Sequence, residues 1–245
     1  GERGRMTFWT EDGHIVPAVT AEQMREVDRV AMSEFGLGIL QMMENAGRNL
    51  AENVRDMLDG ATGEVTILAG AGGNGGGGLC CARHLHNRDF KVWVVLDRDA
   101  ALLKGAAANQ LHILQRADVH PVAAPQAQEL LKRADIVVDA LIGYSLRGAP
   151  RGRAAELVEL CNQHAARVLS LDVPSGLNAT SGEAPGLVVR PERTLTLALP
   201  KTGLQHVPGE LYLADIGIPP EVFHRIGVSY EPPFGERYWV RLKGA

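Results

Sequence analysis

Short apolar runs that lack polar alternation constrain the fold of this 245-residue chain. Residues 64–69 (EVTILA), 91–96 (KVWVVL) and 136–141 (IVVDAL) are rich in β-branched and other apolar side chains. Continuous runs of this kind are typical of strands that are buried on both faces, as in a parallel sheet. Further strands are predicted at 119–122, 167–171, 194–199 and 210–214.

Segments with helical apolar spacing separate these strands. Helices are predicted at about 79–88, 102–116 and 154–164, and another precedes Arg133. Strands that alternate with helices of this length form βαβ units with right-handed crossovers. We therefore predict an α/β fold with a doubly wound, mostly parallel sheet in a Rossmann-like three-layer α/β/α arrangement.

Two extra N-terminal helices are predicted before the first of these strands. Thr20 and Gln23 have the spacing of a capping box, which marks the start of the first helix. The second helix is predicted from Ile39 to about residue 58, and both helices must pack on the outside of the sheet. No linker rich in Ser, Gly or Pro divides the chain. We therefore expect an N-terminal extension over 1–18 and a single domain over 19–245.

The composition excludes several classes of protein. There are 25 Lys and Arg residues against 29 Asp and Glu residues, so the net charge of −4 argues against a dedicated nucleic-acid binder. No apolar run reaches the roughly 18 residues of a membrane span. The three cysteines, Cys80, Cys81 and Cys161, form no CxxC pair, which favours a reducing compartment. We expect a cytoplasmic protein with no nucleic-acid or membrane partner.

Seven of the 28 glycines fall within the nine residues 70–78 (GAGGNGGGG), directly after a predicted strand. Glycine allows positive φ and close approach of the backbone to a ligand, and a helix N-terminus favours phosphate. The run also fits GxGxxG, and Asp97 stands where a dinucleotide site has its ribose-binding acid. That match is weak because a glycine run fits many templates, and a merely tight turn is the alternative.

Ligands of doubly wound sheets bind beyond the carboxyl ends of the strands, near the point where strand order reverses. Asp139 lies inside an apolar run, so it needs a polar partner or a cation, with a helix cap or an arginine pair as alternatives. Asp172 follows a buried strand and is expected at the same edge as Asp139 and Asn74. The segments that follow predicted strands are 70–78, 139–152 and 172–178.

Two further features of these segments bear on ligands. The loop after Asp139 carries three arginines that could bind phosphates or form a solvated surface, Arg147, Arg151 and Arg153. The eight histidines show no paired-ligand spacing, so zinc is not expected. Asn74, Asp139 and Ser175 instead offer hard oxygen ligands, which suit an alkali or alkaline-earth ion.

Several motifs occur in a fixed order along the chain. They are Met43-Glu-Asn-Ala-Gly47, the glycine run, Asp139-Ala-Leu-Ile-Gly143, Asp172-Val-Pro-Ser-Gly-Leu177 and Ala198-Leu-Pro-Lys-Thr-Gly203. With these motifs, from about residue 19 to about residue 219, the chain resembles the NAD(P)H-hydrate epimerases, the YjeF amino-terminal domain family. The resemblance implies an isomerase that interconverts the R and S forms of NADH or NADPH hydrated at C6 of the nicotinamide ring.

The resemblance also implies roles for individual residues. Asp172 matches the catalytic, substrate-binding carboxylate, and the matching potassium ligands are Asn74, Asp139 and Ser175. The matching substrate-binding residues are Gly73, Asn74, Gly75, Gly76, Gly77, Gly143, Tyr144, Ser145, Leu146, Arg147, Gly148, Ala149 and Asp172. A homodimer is implied as well, together with functional coupling to a separate dehydratase that acts on one epimer only.

One departure from the family keeps two alternatives open. The family loop usually reads NNGGDG, whereas this chain has glycine at the first Asn (Gly73) and at the Asp (Gly77). The first alternative is therefore a catalytically altered nucleotide-binding or interaction module of the same fold. The second is an NAD-dependent oxidoreductase, suggested by GxGxxG and Asp97. It is disfavoured because no Ser/Tyr/Lys or His catalytic set is visible.

Overall fold

One mixed sheet organises the computed structural model, which describes residues 7–244. Its strands are β1 (Thr7–Thr10), β2 (Ile15–Pro17), β3 (Glu64–Ala69), β4 (Lys91–Leu96), β5 (Ile136–Ala140), β6 (Val168–Leu171), β7 (Arg193–Leu197), β8 (Glu210–Ala214) and β9 (Trp239–Gly244). The spatial order is β2-β1-β9-β8-β7-β6-β5-β3-β4. Strands β3 to β8 are parallel, whereas β1, β2 and β9 are antiparallel. The predicted doubly wound, mostly parallel sheet is confirmed.

Helices cover both faces of this sheet. They are α1 (Ala21–Ser33), α2 (Ile39–Met57), α3 (Gly73–His86), α4 (Gly105–Arg116), α5 (Ala127–Arg133), α6 (Gly152–His164) and α7 (Pro220–Arg225). The capping box is present, because the Thr20 hydroxyl accepts from Gln23 N at 3.1 Å and Gln23 Oε1 accepts from Thr20 N at 2.8 Å. Among residues 7–244, no helix combines the length and the apolar character that a bilayer span requires.

Three apolar clusters hold the layers together. On one face, α2, α3 and α4 pack on β3, β4 and β5, with Ile67 at the centre. On the other face, α5 and α6 pack on the same strands around Leu68. Ile67 and Leu68 point to opposite faces of β3, and the strand is buried on both faces. The third cluster joins α1 and α7 to the antiparallel edge of the sheet.

The predicted N-terminal extension contributes to the sheet. Within its described part, β1 pairs with β9 and β2 pairs with β1. Residues 1–6 of the predicted extension lie outside the described residues. Strands β1, β2 and β9 were not predicted from the sequence.

The strand predicted at 119–122 is wrong. This segment lies beside β4, where Val122 N donates to Val94 O at 2.9 Å, but it forms no ladder. Pro121 has no N–H group, so the segment lacks a donor that a regular strand would use.

Candidate functional site

A cavity of about 650 Å³ opens at the carboxyl ends of the central strands. It lies where the strand order reverses, because β3 has β4 on one side and β5 on the other. This is the position at which doubly wound sheets bind ligands. The predicted site residues that line the cavity are Gly73, Asn74, Gly143, Tyr144, Ser145, Leu146, Arg147, Ala149 and Asp172.

The glycine run forms the start of helix α3, and the prediction that this helix begins at residue 79 is wrong. The expectation of positive φ is also wrong, since the described glycines with positive φ all lie outside 70–78. The run instead allows close packing. A methyl group at Gly75 would lie 1.8 Å from the Gly70 carbonyl oxygen, and one at Gly77 would lie 2.8 Å from Leu171 Cδ2.

The predicted loop residues therefore divide into two groups. Gly73 and Asn74, in the first turn of α3, line the cavity. Gly75, Gly76 and Gly77 are buried in the packing of α3 against its neighbours. The first turn of a helix has N–H groups without intrahelical partners, so it presents donors that suit an anion.

Asp172 follows β6 with φ of 69°, a left-handed conformation that Asp tolerates better than most residues. It is buried and lines the cavity. The Oδ1 atom accepts from Lys201 Nζ at 2.6 Å, from Thr196 Oγ1 at 3.1 Å and from Leu197 N at 3.1 Å. Within residues 7–244, no hydrogen bond occupies Oδ2. The carboxylate is thus held rigidly by one oxygen while the other is available to a ligand.

Lys201 is a site residue that sequence reasoning did not assign. It lies in the Ala198–Gly203 motif, is fully buried and lines the cavity. Its Nζ atom also donates to Leu197 O at 2.7 Å and to Thr196 Oγ1 at 3.2 Å. A buried ammonium is costly unless it is paired, so this lone lysine in an apolar stretch was the available signal.

Asp139 lies at the end of β5 and is fully buried, next to the cavity residues rather than among them. Its carboxylate accepts from Ser175 Oγ at 2.5 Å, from Ser170 Oγ at 2.7 Å, from Ser175 N at 2.9 Å and from Leu141 N at 3.4 Å. These partners take the place of the arginine or helix cap that the sequence left open. Burial raises the pKa of Asp139, although these hydrogen bonds oppose the shift.

Asn74 lies in the first turn of α3 and lines the cavity next to the loop that follows β5. A methyl group at Gly143 would lie 3.3 Å from the Asn74 carboxamide, so the loop after β5 packs closely against Asn74. The Asn74 Nδ2 atom is buried and has no hydrogen-bond partner within the described residues. Because amide oxygen and nitrogen are interchangeable by rotation, this orphaned end can present an oxygen ligand. The donor set of Asn74, Asp139 and Ser175 therefore fits a hard monovalent or divalent cation.

Asp28 and Tyr144 form a second polar pair in the cavity lining. The Tyr144 hydroxyl donates to Asp28 Oδ2 at 2.5 Å. Burial raises the pKa of Asp28, and the Asp172 carboxylate contributes in the same direction. Burial also raises the pKa of Tyr144, and the Asp28 charge adds to this effect. Tyr144 was predicted from its loop, whereas Asp28 on α1 was not.

Basic residues lie at the rim of the cavity. Arg147 and Arg151 are exposed and line it, whereas Arg153 pairs with Asp99 at 3.6 Å. Asp97 also lines the cavity, but Arg98 holds its carboxylate through two contacts of 2.8 and 3.0 Å. A ribose would therefore have to compete with this guanidinium for Asp97.

A separate cluster of titratable groups lies between α2 and α3. Glu44, Cys80 and His84 are close enough to share a metal ion. Arg83 already supplies a positive charge there, since its Nη2 atom lies 2.5 Å from Glu44 Oε2. Arg83 therefore already compensates the negative charge of Glu44 in this cluster.

The fold and the cavity define a Rossmann-like α/β protein with a cavity of about 650 Å³ at the switch point of its sheet. The sequence profile described as "YjeF-related protein N-terminus" matches residues 39–203. The chain belongs to this family.

Curated relatives carry names that agree with this family. The chain is 50% identical to the "NAD(P)H-hydrate epimerase" of Dehalogenimonas lykanthroporepellens over 97% of each chain. It is 36% identical to the "NAD(P)H-hydrate epimerase" of Rhodopirellula baltica, covering 87% of this chain and 89% of that one. A "Bifunctional NAD(P)H-hydrate repair enzyme Nnr" of Hyperthermus butylicus is 37% identical over 93% of this chain, which spans 44% of that relative's length.

A solved structure supports the same fold. The crystal structure of yeast ynu0, YNL200c, superposes with a TM-score of 0.79 at 26% sequence identity. The match covers 89% of this chain and 97% of the yeast chain. The overall architecture of the chain is therefore one that is seen in a crystal structure.

Proposed function

We propose that this protein is an NAD(P)H-hydrate epimerase, an isomerase that interconverts the R and S forms of hydrated NADH and NADPH. The observation that carries the proposal is Asp172, a buried carboxylate on the cavity wall with one oxygen fixed by Lys201 and the other unoccupied within residues 7–244. The names of the relatives at up to 50% identity support the same activity.

Substrate binding follows from the chemistry of the cavity lining. The first turn of α3, at Gly73 and Asn74, offers N–H groups to a phosphate. Arg147 and Arg151 at the rim add positive charge for the diphosphate. Apolar side chains such as Met42 cover the part of the cavity that would receive the ring. A volume of about 650 Å³ lies within the usual range for small-molecule sites.

The reaction requires inversion at C6, where the hydroxyl and the ring nitrogen form a hemiaminal. Asp172 takes the hydroxyl proton on Oδ2, the C6–N1 electron pair moves to N1, which takes up a proton, and C6 becomes an aldehyde carbon. Rotation about the C5–C6 bond followed by reclosure gives the other epimer. Positioned proton transfer of this kind contributes about 10²–10⁴-fold. Lys201 balances the carboxylate charge and holds its orientation.

A potassium ion is part of the proposal. Asn74, Asp139 and Ser175 would hold it, since they offer only oxygen ligands and a carboxylate charge beside the cavity. The ion would supply positive charge that holds the loops after β3, β5 and β6 together. These three segments form part of the cavity wall, so the ion would help to position the residues that bind the substrate.

The decisive experiment follows the pure R-hydrate of NADH by NMR, with and without enzyme. The wild type should convert it to the S form, and Asp172→Asn should lower kcat by at least about 10²-fold. Asp118→Asn is the matched control, because Asp118 is exposed at the carboxyl end of α4. Equal rates for wild type and Asp172→Asn would contradict the mechanism. Binding of the dinucleotide without conversion would favour the altered-module alternative.

The glycine at position 77 bears on that alternative. Gly77 packs against Leu171 and Ala46 in the interior, whereas Gly73 lines the cavity. Position 77 is therefore not part of the lining of this cavity. The oxidoreductase alternative receives no support from the relatives, whose names describe epimerases and repair enzymes.

Coupling, assembly and location complete the proposal. A dehydratase that acts on one epimer would consume the product, and the bifunctional relatives have room for such an activity in the rest of their length. The three cysteines are unpaired and buried, which agrees with the reducing cytoplasm. The homodimer stays a prediction from the family resemblance.

A further inference from the structure

Helix α1 directs one stripe of side chains at the cavity. Met24, Asp28 and Met32 line it and are spaced four residues apart, so they lie on one face of the helix. Asp28 is the charged member of this stripe between two apolar neighbours. A carboxyl group placed there costs desolvation energy, which a purely structural role on a surface helix would not require. Asp28 lies outside the segment that the family profile matches.

The surroundings of Asp28 differ from those of Asp172. Asp172 is ion-paired to Lys201 at 2.6 Å, whereas Asp28 has a phenol as its partner and no ion pair within the described residues. Burial raises the pKa of Asp28; the Tyr144 hydroxyl and Lys201 oppose this, and Asp172 adds to it. Arg25, on the exposed side of the same helix, lies over the Tyr144 ring at 5.9 Å. Two carboxyl groups with such different environments are suited to opposite proton-transfer roles.

We propose that Asp28 is a second catalytic residue, a proton donor to the ring nitrogen, held in place by the Tyr144 hydroxyl. This inference rests on the proposed epimerase function. When the hemiaminal opens, Asp172 accepts the hydroxyl proton, and the O–H electron pair becomes the second C6–O bond. The C6–N1 electron pair moves to N1, which takes the proton of Asp28. Reclosure reverses both transfers, so no net proton is gained or lost.

The expected signature is a loss of turnover with a changed pH profile. Asp28 acts in its protonated form, so wild-type kcat should fall as pH rises through the pKa of Asp28. Asp28→Asn should lower kcat by about 10²-fold, leave KM within about threefold, and lose that alkaline limb. Glu22→Gln, at an exposed position of the same helix, is the control. Its kcat, KM and pH profile should match those of the wild type.

A second variant separates proton donation from simple tethering of Tyr144. Tyr144→Phe removes a hydrogen bond that lowers the pKa of Asp28, so the alkaline limb should move to higher pH while kcat stays within about tenfold of wild type. The proposal would be overturned if Asp28→Asn and Tyr144→Phe lowered kcat equally. It would also be overturned if neither variant changed the alkaline limb of the pH profile of kcat. This variant also serves if Asp28→Asn fails to fold.

The outcomes distinguish this inference from the proposed function. If the wild type converts no hydrate, the epimerase proposal fails. If the wild type is active, Asp172→Asn is slow and Asp28→Asn keeps wild-type kcat, only the role of Asp28 fails.

Discussion

Lys201 Nζ lies 2.6 Å from Asp172 Oδ1, and the two side chains are 1% and 5% exposed. The lysine follows β7 and the aspartate follows β6, so the pair ties two neighbouring strand ends together. Each charge is buried only because the other compensates it. The pair therefore links the stability of the fold to the proposed catalytic carboxylate.

Lys201→Met should destabilise the protein by about 3–5 kcal/mol, because it leaves the Asp172 carboxylate buried without its ammonium partner. Urea unfolding of the purified variant measures this change. The double variant Lys201→Met/Asp172→Asn removes both charges and should recover part of the loss. Strictly additive effects of the two substitutions would contradict the buried-pair interpretation.

Gly75→Ala and Gly73→Ala should have opposite effects on stability. A methyl group at Gly75 would lie 1.8 Å from the Gly70 carbonyl oxygen, whereas one at Gly73 meets nothing within 4 Å. Gly75→Ala should therefore cost about 3 kcal/mol or more through overpacking against backbone. Gly73→Ala should stabilise the helix by up to about 1 kcal/mol. Thermal unfolding measures both, and similar melting temperatures for the two variants would show that the run is not a packing device.

Potassium should stabilise the protein more than choline does at equal ionic strength. A ligand at a hundredfold excess over its Kd adds about 2.7 kcal/mol to the free energy of unfolding. Asp139→Asn should abolish the difference between the two salts, since it removes the charge of the proposed site. Differential scanning calorimetry in matched chloride salts is the measurement. Identical melting temperatures in both salts would contradict a potassium site.

Glu44 should contribute stability that is lost in acid. Burial raises the pKa of Glu44, but hydrogen bonds from Cys80 and Arg83 outweigh it and lower the pKa from 4.5 to about 2. A carboxyl with a depressed folded-state pKa stabilises the protein above its unfolded pKa of 4.5, and this contribution fades as pH falls toward 2. Wild type should thus exceed Glu44→Gln in stability at neutral pH.

The stability difference between wild type and Glu44→Gln should narrow as pH falls from about 5 to about 3. Urea unfolding across this interval tests the sign. Glu22→Gln, on the exposed face of α1, is the control and should show no such narrowing. A difference that grows in acid would refute the assigned role of the Arg83 contact.

The central sheet could be predicted because its signals are local. Strands β3, β4 and β8 have the predicted bounds, since their apolar runs end at Gly70, Asp97 and Asp215. Strands β1 and β9 were not predicted because they pair with each other across more than 200 residues of sequence, as in the pairing of Phe8 with Gly244, and such a pairing leaves no local signal. The start of α3 at Gly73 was not predicted because glycine disfavours helices. Here tertiary packing overrides that preference.

The residues of the candidate site could likewise be predicted only in part. Asp139 and Asp172 stand out as charges at the ends of apolar strands, so their placement near the switch point follows from the fold class. Asp28 and Lys201 come from segments that approach the cavity only after tertiary folding. No sequence spacing connects these two residues to Asp172, so their place in the site could not be predicted from the sequence.

The pairing of β1 with β9 brings the first and last described strands side by side, with Phe8 opposite Gly244. The start of β1 and the end of β9 therefore lie next to each other in the sheet. A short peptide could join the start of β1 to the end of β9, and new termini could be opened in the loop beyond α4, without displacing a strand.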